Sequence, residues 1–200
     1  MFSSFSFLET LSSFIIMFAI IDALGATPII MSLREKGKEI HCFKASLFSG
    51  LILIGFFYLG DLVLKLFNVD IESFAVAGAI LLFLLALEML LDVEIFKYGG
   101  PTPDATMIPL VFPLLAGAGA ITTLISLKAE YADINILLGL ILNLIWVYLV
   151  LKMTDRIRRF FGKGGIYVMK KFFGIILLAM AVRLFTVNLH SLTMLIGAAD

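Results

Sequence analysis

An aspartate, a glycine and a proline lie inside the first apolar run of this chain. From Leu11 to Met31 there is no Lys or Arg, and the run is long enough to span a bilayer. Its centre reads Ile20-Ile21-Asp22-Ala23-Leu24-Gly25-Ala26-Thr27-Pro28. A carboxylate in mid-span costs about 2.5 to 3.5 kcal/mol on insertion scales, so it faces protein or water rather than lipid. Gly25 and Pro28 loosen the helix beside it and leave backbone groups that only a protein-lined interior satisfies. An interior site at Asp22 follows from these residues alone.

The rest of the chain agrees with a membrane setting. It is 62% hydrophobic and 15% charged, with a mean hydropathy of +1.10, whereas soluble domains are roughly 45 to 50% apolar and 25% charged. Fifteen basic and fifteen acidic residues cancel, so no basic excess points to nucleic acid, and no nucleic-acid motif occurs. Cys42 is the single cysteine, which excludes an intrachain disulfide and a thiolate metal site. His41 and His190 lie in or near loops without ligand spacing, so no metal or other cofactor is expected. No Ser-His-Asp, HExxH or GxSxG arrangement occurs, and the chain is not expected to be an enzyme. The start, MFSSFSFLETLSS, carries Glu9 where a signal peptide carries positive charge, so the first helix is expected to be retained.

Six apolar segments fall at about 11–31, 45–66, 73–91, 107–127, 134–151 and 167–187. They predict an all-α membrane protein, one domain over 1–200. The second has Gly60-Asp61 and Lys65 near its end, so it tilts or stops at Gly60. The halfway loop, 92–106, is irregular, with Gly99, Gly100, Pro101 and Pro103 as breakers. Twelve basic residues flank the odd-numbered loops, from Arg34 to Lys44, at Lys97, and from Lys152 to Lys171. The even-numbered loops hold only Lys65 and Lys128. The positive-inside rule therefore places the odd loops in the cytoplasm and both termini outside. The basic stretch 152–171 then anchors topology and meets anionic lipid.

The two halves are similar in order. Gly25-Ala26-Thr27-Pro28-Ile29 aligns with Gly117-Ala118-Gly119-Ala120-Ile121, and Gly78-Ala79-Ile80-Leu81-Leu82 with Gly174-Ile175-Ile176-Leu177-Leu178. Three helices per repeat invert the second half, giving repeats of about 7–91 and 107–189 with helices 1 and 4 broken near the midplane. In inverted-repeat transporters, interrupted segments at matching positions mark the binding site. In helix 1, Thr27 serves as N-cap and Pro28 as first helical residue; in helix 4 the restart falls near Gly119 and exposes the Ala120 and Ile121 N–H groups. Two half-helix N-termini would then face each other across a gap suited to a carboxylate. Ala26, Ala116, Gly117, Ala118 and Gly119 leave room for a small ligand. Asp22 has three readings: acceptor of a substrate ammonium, carrier of a coupling proton, or cap of its own restarted helix. Asn143 is interhelical glue or a substrate contact. Glu88 and Arg183 are expected to snorkel to opposite faces, and Trp146, Tyr148, Tyr58 and Tyr98 to serve as interfacial anchors or packing. The candidate binding residues are Asp22, Gly25, Ala26, Thr27, Pro28, Gly117, Ala118, Gly119, Ala120, Thr122 and Asn143.

Three stretches resemble the MarC family of six-helix inner-membrane proteins over nearly the whole chain. Asp22-Ala23-Leu24-Gly25-Ala26-Thr27-Pro28 is similar to the family's D-P-x-G-N-x-P. Leu115-Ala116-Gly117-Ala118-Gly119-Ala120-Ile121-Thr122 is similar to L-A-G-P-G-A-I-T, and Ile80 to Leu90 to I-L-L-F-L-x-A-L-D-M-L. The chain departs from the pattern at Ala23, Ala26 and Ala118, and has Arg183 where the family usually carries an uncharged residue. The resemblance implies a multi-pass protein of the bacterial inner membrane, and a branch of the family is regarded as transporting small neutral amino acids. The expected function is secondary transport of a small zwitterion such as glycine or alanine, with or without a coupled proton. The expected partners are that substrate and the lipid bilayer. The alternatives are a non-transporting scaffold or partner subunit, and a channel or exporter for another small solute.

Overall fold

Asp22 ends one helix and starts the next. In this computed structural model, which describes residues 5–35, 37–93, 95, 106–128 and 130–197, α1 (Phe7–Ile21) stops at Asp22, whose backbone is left-handed at φ 40, ψ 57. Aspartate tolerates that region better than most residues because its short side chain can bond locally. Here it does: Asp22 Oδ1 accepts the Gly25 N–H at 3.0 Å, and α2 (Ala23–Glu35) begins. The break thus lies at Asp22, not at Gly25–Pro28. Thr27 is not an N-cap and Pro28 is inside α2; the aspartate supplies a nearer cap than the threonine would.

α3 (Cys42–Leu66) runs without interruption, so Gly60 does not end it. There the glycine serves packing, with Ile125 against it. α4 (Ile71–Leu91) starts on Asp70, whose carboxylate accepts the Ser73 N–H. The fourth span is two pieces. A loosely coiled π-type segment, Thr106–Leu115, is extended at Ile108 and Phe112 and holds Pro109 and Pro113. It meets α5 (Ala118–Leu127) at 43°. α6 (Asp133–Gly197) is two arms joined at Gly162, where φ 63 and ψ −179 require a residue without Cβ. Its arms provide the spans Asp133–Arg156 and Gly164–Thr193. Among the described residues, five stretches are long and apolar enough to cross a membrane, six counting the bent pair. Most of the halfway loop 92–106, Tyr98 included, lies outside the described residues.

The broken spans form the interior. Over the most apolar window, the first span is 56% buried, whereas Ile71–Leu91 is 33% and Gly164–Thr193 only 17% buried. Met17, Ile21, Ile30, Leu53, Phe57, Leu110, Leu115 and Ile121 are fully or almost fully buried around them. Exposed apolar residues such as Leu51, Leu62, Ile141, Ile145, Phe172 and Ile175 lie on α3 and the two arms of α6, where lipid would cover them. Small residues set the close crossings: a Cβ on Gly139 would come within 3.1 Å of the Phe14 nitrogen and the Thr10 carbonyl, so α1 and α6 meet backbone to backbone.

Polar ties at the two ends show which connections share a face. At one end Arg34 pairs with Asp155, and Asp92 with Lys170 and Lys171. At the other, Glu9 Oε2 accepts from Asn135 Nδ2 at 2.6 Å and from the Ala132 N–H. The odd-numbered connections therefore meet on one side and the N-terminal end and fourth connection on the other.

Asp92 closes α4 in a left-handed conformation, and hydrogen bonds from Lys170, then Lys171, hold its carboxyl at about 2, below its ordinary 3.8. A depressed carboxyl contributes stability that is present above about pH 4 and lost as the pH falls toward 2. The group is 41% exposed, so its screened worth is about 1 kcal/mol or less. In detergent, Asp92→Asn is expected to melt lower than wild type at pH 5 and together with it at pH 2. Parallel melting curves across that range would show that the two lysines do not stabilise the fold through this charge.

Candidate functional site

Both breaks open onto one cavity of about 250 Å³. Asp22 is on its wall from the first break, and Gly117, Gly119 and Ala120 from the second. At the second break Gly117 is the N-cap of α5 and offers no side-chain cap. The restart falls at Ala118 rather than near Gly119, and the Ile121 N–H, expected to be exposed, donates to the Gly117 carbonyl at 3.0 Å; the N–H groups of Ala118, Gly119 and Ala120 have no partner within the helix and carry the positive end of its dipole. A Cβ on Gly117 would overlap the Pro113 carbonyl oxygen, while one on Gly119 would stand 3.4 Å from Leu184 and 3.7 Å from Ile20. The first glycine is required by the turn; the second opens onto the cavity.

The expected pair of facing helix N-termini is not what forms. α2 begins under its own aspartate, with the Gly25 N–H on the carboxylate and the Ala26 N–H on the Asp22 carbonyl. A Cβ on Gly25 would overlap the Asp22 carboxyl, so the glycine admits this cap. Of the two helix starts at the breaks, that of α5 is the one without a side-chain cap.

Of the other candidate residues, Gly25, Ala26, Thr27 and Pro28 are buried within α2 and do not line the cavity. Thr27 Oγ1 turns back to the Ala23 carbonyl at 3.5 Å. Ala118 packs against Gly78 of α4, and Thr122 Oγ1 donates to the Gly119 carbonyl at 3.2 Å. Asn143 Nδ2 donates to the Phe14 carbonyl at 2.9 Å and joins α1 to α6 away from the cavity. Asn143 is therefore interhelical glue. Trp146 packs on Phe18, ring centroids 5.7 Å apart.

Two polar residues complete the wall: Arg183 and Asn188, both on the second arm of α6. Arg183, expected to reach for the external surface, shares the cavity with Asp22. Its signal in the sequence is its position, ten residues inside the end of the span Gly164–Thr193. At 1.5 Å per residue that is about 15 Å along the helix axis. The Asn188 amide donates to the Leu184 carbonyl at 2.7 Å, which leaves its oxygen outward. The remaining wall is apolar, with Leu82, Leu177, Met180 and Leu184 among it. Among the described residues no group of His, Cys, Asp and Glu is placed to hold a metal ion. The chemistry of the cavity is one carboxylate, one guanidinium, one helix N-terminus and an apolar remainder.

The chain is similar to curated membrane proteins along most of its length. It is 31% identical to UPF0056 membrane protein MJ1677 of Methanocaldococcus jannaschii, over 84% of this chain and 89% of that one. It is 32% identical to UPF0056 membrane protein PYRAB13050 of Pyrococcus abyssi, over 88% and 94%. It is 26% identical to the UPF0056 inner membrane protein YhgN of Escherichia coli, over 88% and 94%. No solved structure matches the chain. The model of the MarC family, described as integral membrane proteins, matches residues 7–193, and the chain, a multi-pass integral membrane protein, belongs to that family.

Proposed function

We propose that this protein is a secondary transporter of a small zwitterion, a neutral amino acid such as glycine or alanine, with no enzymatic activity. The observation that carries the proposal is the cavity between the two breaks, with a carboxylate on one side and the start of α5 on the other. A carboxylate beside Asp22 can take an ammonium, and free N–H groups at a helix start can take a carboxylate. Proton coupling is part of the proposal, since an intramembrane acid is a usual proton site.

The inverted architecture belongs to the same proposal and has support in the register of the two halves. The second parts of the broken spans begin at Ala23 and Ala118. The His41 N–H donates to Thr106 Oγ1, while Thr10 Oγ1 donates to the Asn135 side chain. Ala23 with Ala118, His41 with Asn135, and Thr10 with Thr106 are 94 to 96 residues apart. The start of each broken span thus bonds to the second helix of the other repeat, as a two-fold axis in the membrane plane would require.

The E. coli relative, an inner membrane protein, supports an inner-membrane location, and the loop charges support both termini outside. A reporter fused after Asp200 is expected to read as external and one in the basic stretch near Gly162 as cytoplasmic; the opposite pattern inverts the orientation. Radiolabelled glycine or alanine is expected to enter proteoliposomes and to accumulate under an imposed pH gradient. Binding without entry would favour the scaffold reading, for which the capping role of Asp22 is the observation in favour. No binding and no entry would reject the transport of these amino acids.

A further inference from the structure

We infer that Arg183 is the carboxylate anchor of the cavity and that the substrate is an amino acid with an apolar side chain larger than that of alanine. The inference rests on the transport reading and specifies its substrate. Arg183 is exposed in the isolated chain and lines the cavity. It stands about 15 Å inside the end of its span. It lines the cavity that Asp22 also lines, and a guanidinium within a span is better placed facing such a polar space than facing lipid. Among the described residues it has no ion-pair partner, and Asp22 on the same wall has only the Gly25 N–H. The two opposite charges line one space without neutralising each other. A zwitterion placed between them satisfies both.

Arg183 also replaces what the first break does not supply. α2 starts under the Asp22 cap, whereas α5 starts on the cavity wall without a side-chain cap. A guanidinium offers a planar fork that matches a carboxylate with two parallel hydrogen bonds. With the carboxylate held by Arg183 and the first turn of α5, and the ammonium by Asp22, the side chain of the substrate meets Leu82, Leu177, Met180 and Leu184. The volume fits the same conclusion. A space of about 250 Å³ has room for a side chain larger than a methyl group.

The test is calorimetric titration of the purified full-length protein with leucine, alanine, glycine and leucine amide, which has the ammonium but no carboxylate. Wild type is expected to bind leucine at least about tenfold more tightly than glycine, as buried methylenes add affinity. Arg183→Gln is expected to weaken leucine at least about thirtyfold, as loss of one partner of a buried charge pair does, and to leave leucine amide unchanged. Arg183→Lys keeps the charge without the fork and is expected to weaken leucine about five- to tenfold, again sparing the amide; it decides the matter if the Gln variant does not fold. Equal weakening of leucine and leucine amide would assign Arg183 a purely structural role and overturn the inference. Unchanged leucine affinity in Arg183→Gln, or glycine binding as tightly as leucine, would overturn it while the transport reading stands. Failure of all three amino acids to bind wild type would overturn both.

Discussion

Gly119→Leu is expected to lower amino acid binding at least a hundredfold while the protein still inserts and folds. The Cβ has ordinary van der Waals room, 3.4 Å from Leu184 and 3.7 Å from Ile20, and the rest of the side chain must enter the cavity. That space is the one shared by the two breaks, so the change removes ligand volume without altering charge. Gly117→Ala is the contrasting variant. Its Cβ would overlap the Pro113 carbonyl oxygen, and a backbone atom cannot move aside as a side-chain tip can. Overpacking typically costs about 1 to 3 kcal/mol and sometimes more, so this smaller change is expected to reduce stability and yield more than Gly119→Leu does. Melting curves in detergent and calorimetric titration separate the two effects. Normal binding by a folded Gly119→Leu protein would place the ligand elsewhere.

Asp22→Asn is expected to weaken substrate binding by about 2 to 5 kcal/mol, the usual effect of removing one partner of a buried charge pair. The loss of stability should be small. The carboxamide oxygen can still accept the Gly25 N–H now held at 3.0 Å, and Asn also tolerates the left-handed backbone at φ 40. Asp22→Ala removes both functions and is expected to lose a further 1 to 2 kcal/mol of stability, about the worth of a helix cap. If Asp22→Asn bound substrate and exchanged it across the membrane but failed to accumulate it, Asp22 would be the proton carrier instead. If binding and gradient-driven uptake both survived, the residue would be a cap and nothing more.

These two residues mark the boundary between what is legible in the chain and what is not. That Leu11–Met31 spans, that it is interrupted, and that the interruption faces inward follow from apolar length and the cost of a carboxylate in lipid. The second break follows from the glycines of the stretch Pro113 to Gly119. The position of the first break was three to six residues off, at Gly25–Pro28 rather than Asp22, because proline and threonine are strong local helix-start signals. A side chain that bonds its own backbone three residues on won over both. That competition was legible in principle, since aspartate followed by glycine at the third position is a local turn signal.

The sequence by itself determined the membrane class, the all-helical character and the charge bias of the span ends. Each of these depends on composition along the chain, to which bilayer depth is tied residue by residue. Only the tertiary structure decided that Arg183 joins Asp22 on one wall while Asn143, equally polar and equally deep in the chain, pins α1 to α6. Depth does not specify rotation about a helix axis or which helices become neighbours. Those are decided by contacts between distant segments, such as Gly139 on Phe14 and Gly78 on Ala118, where small residues let backbones approach. The first arm of α6, seated on α1 at Gly139, carries the amide to the Phe14 carbonyl, while the second arm, packed on Met89 and Leu90 of α4 at Gly174, carries Arg183 to the cavity.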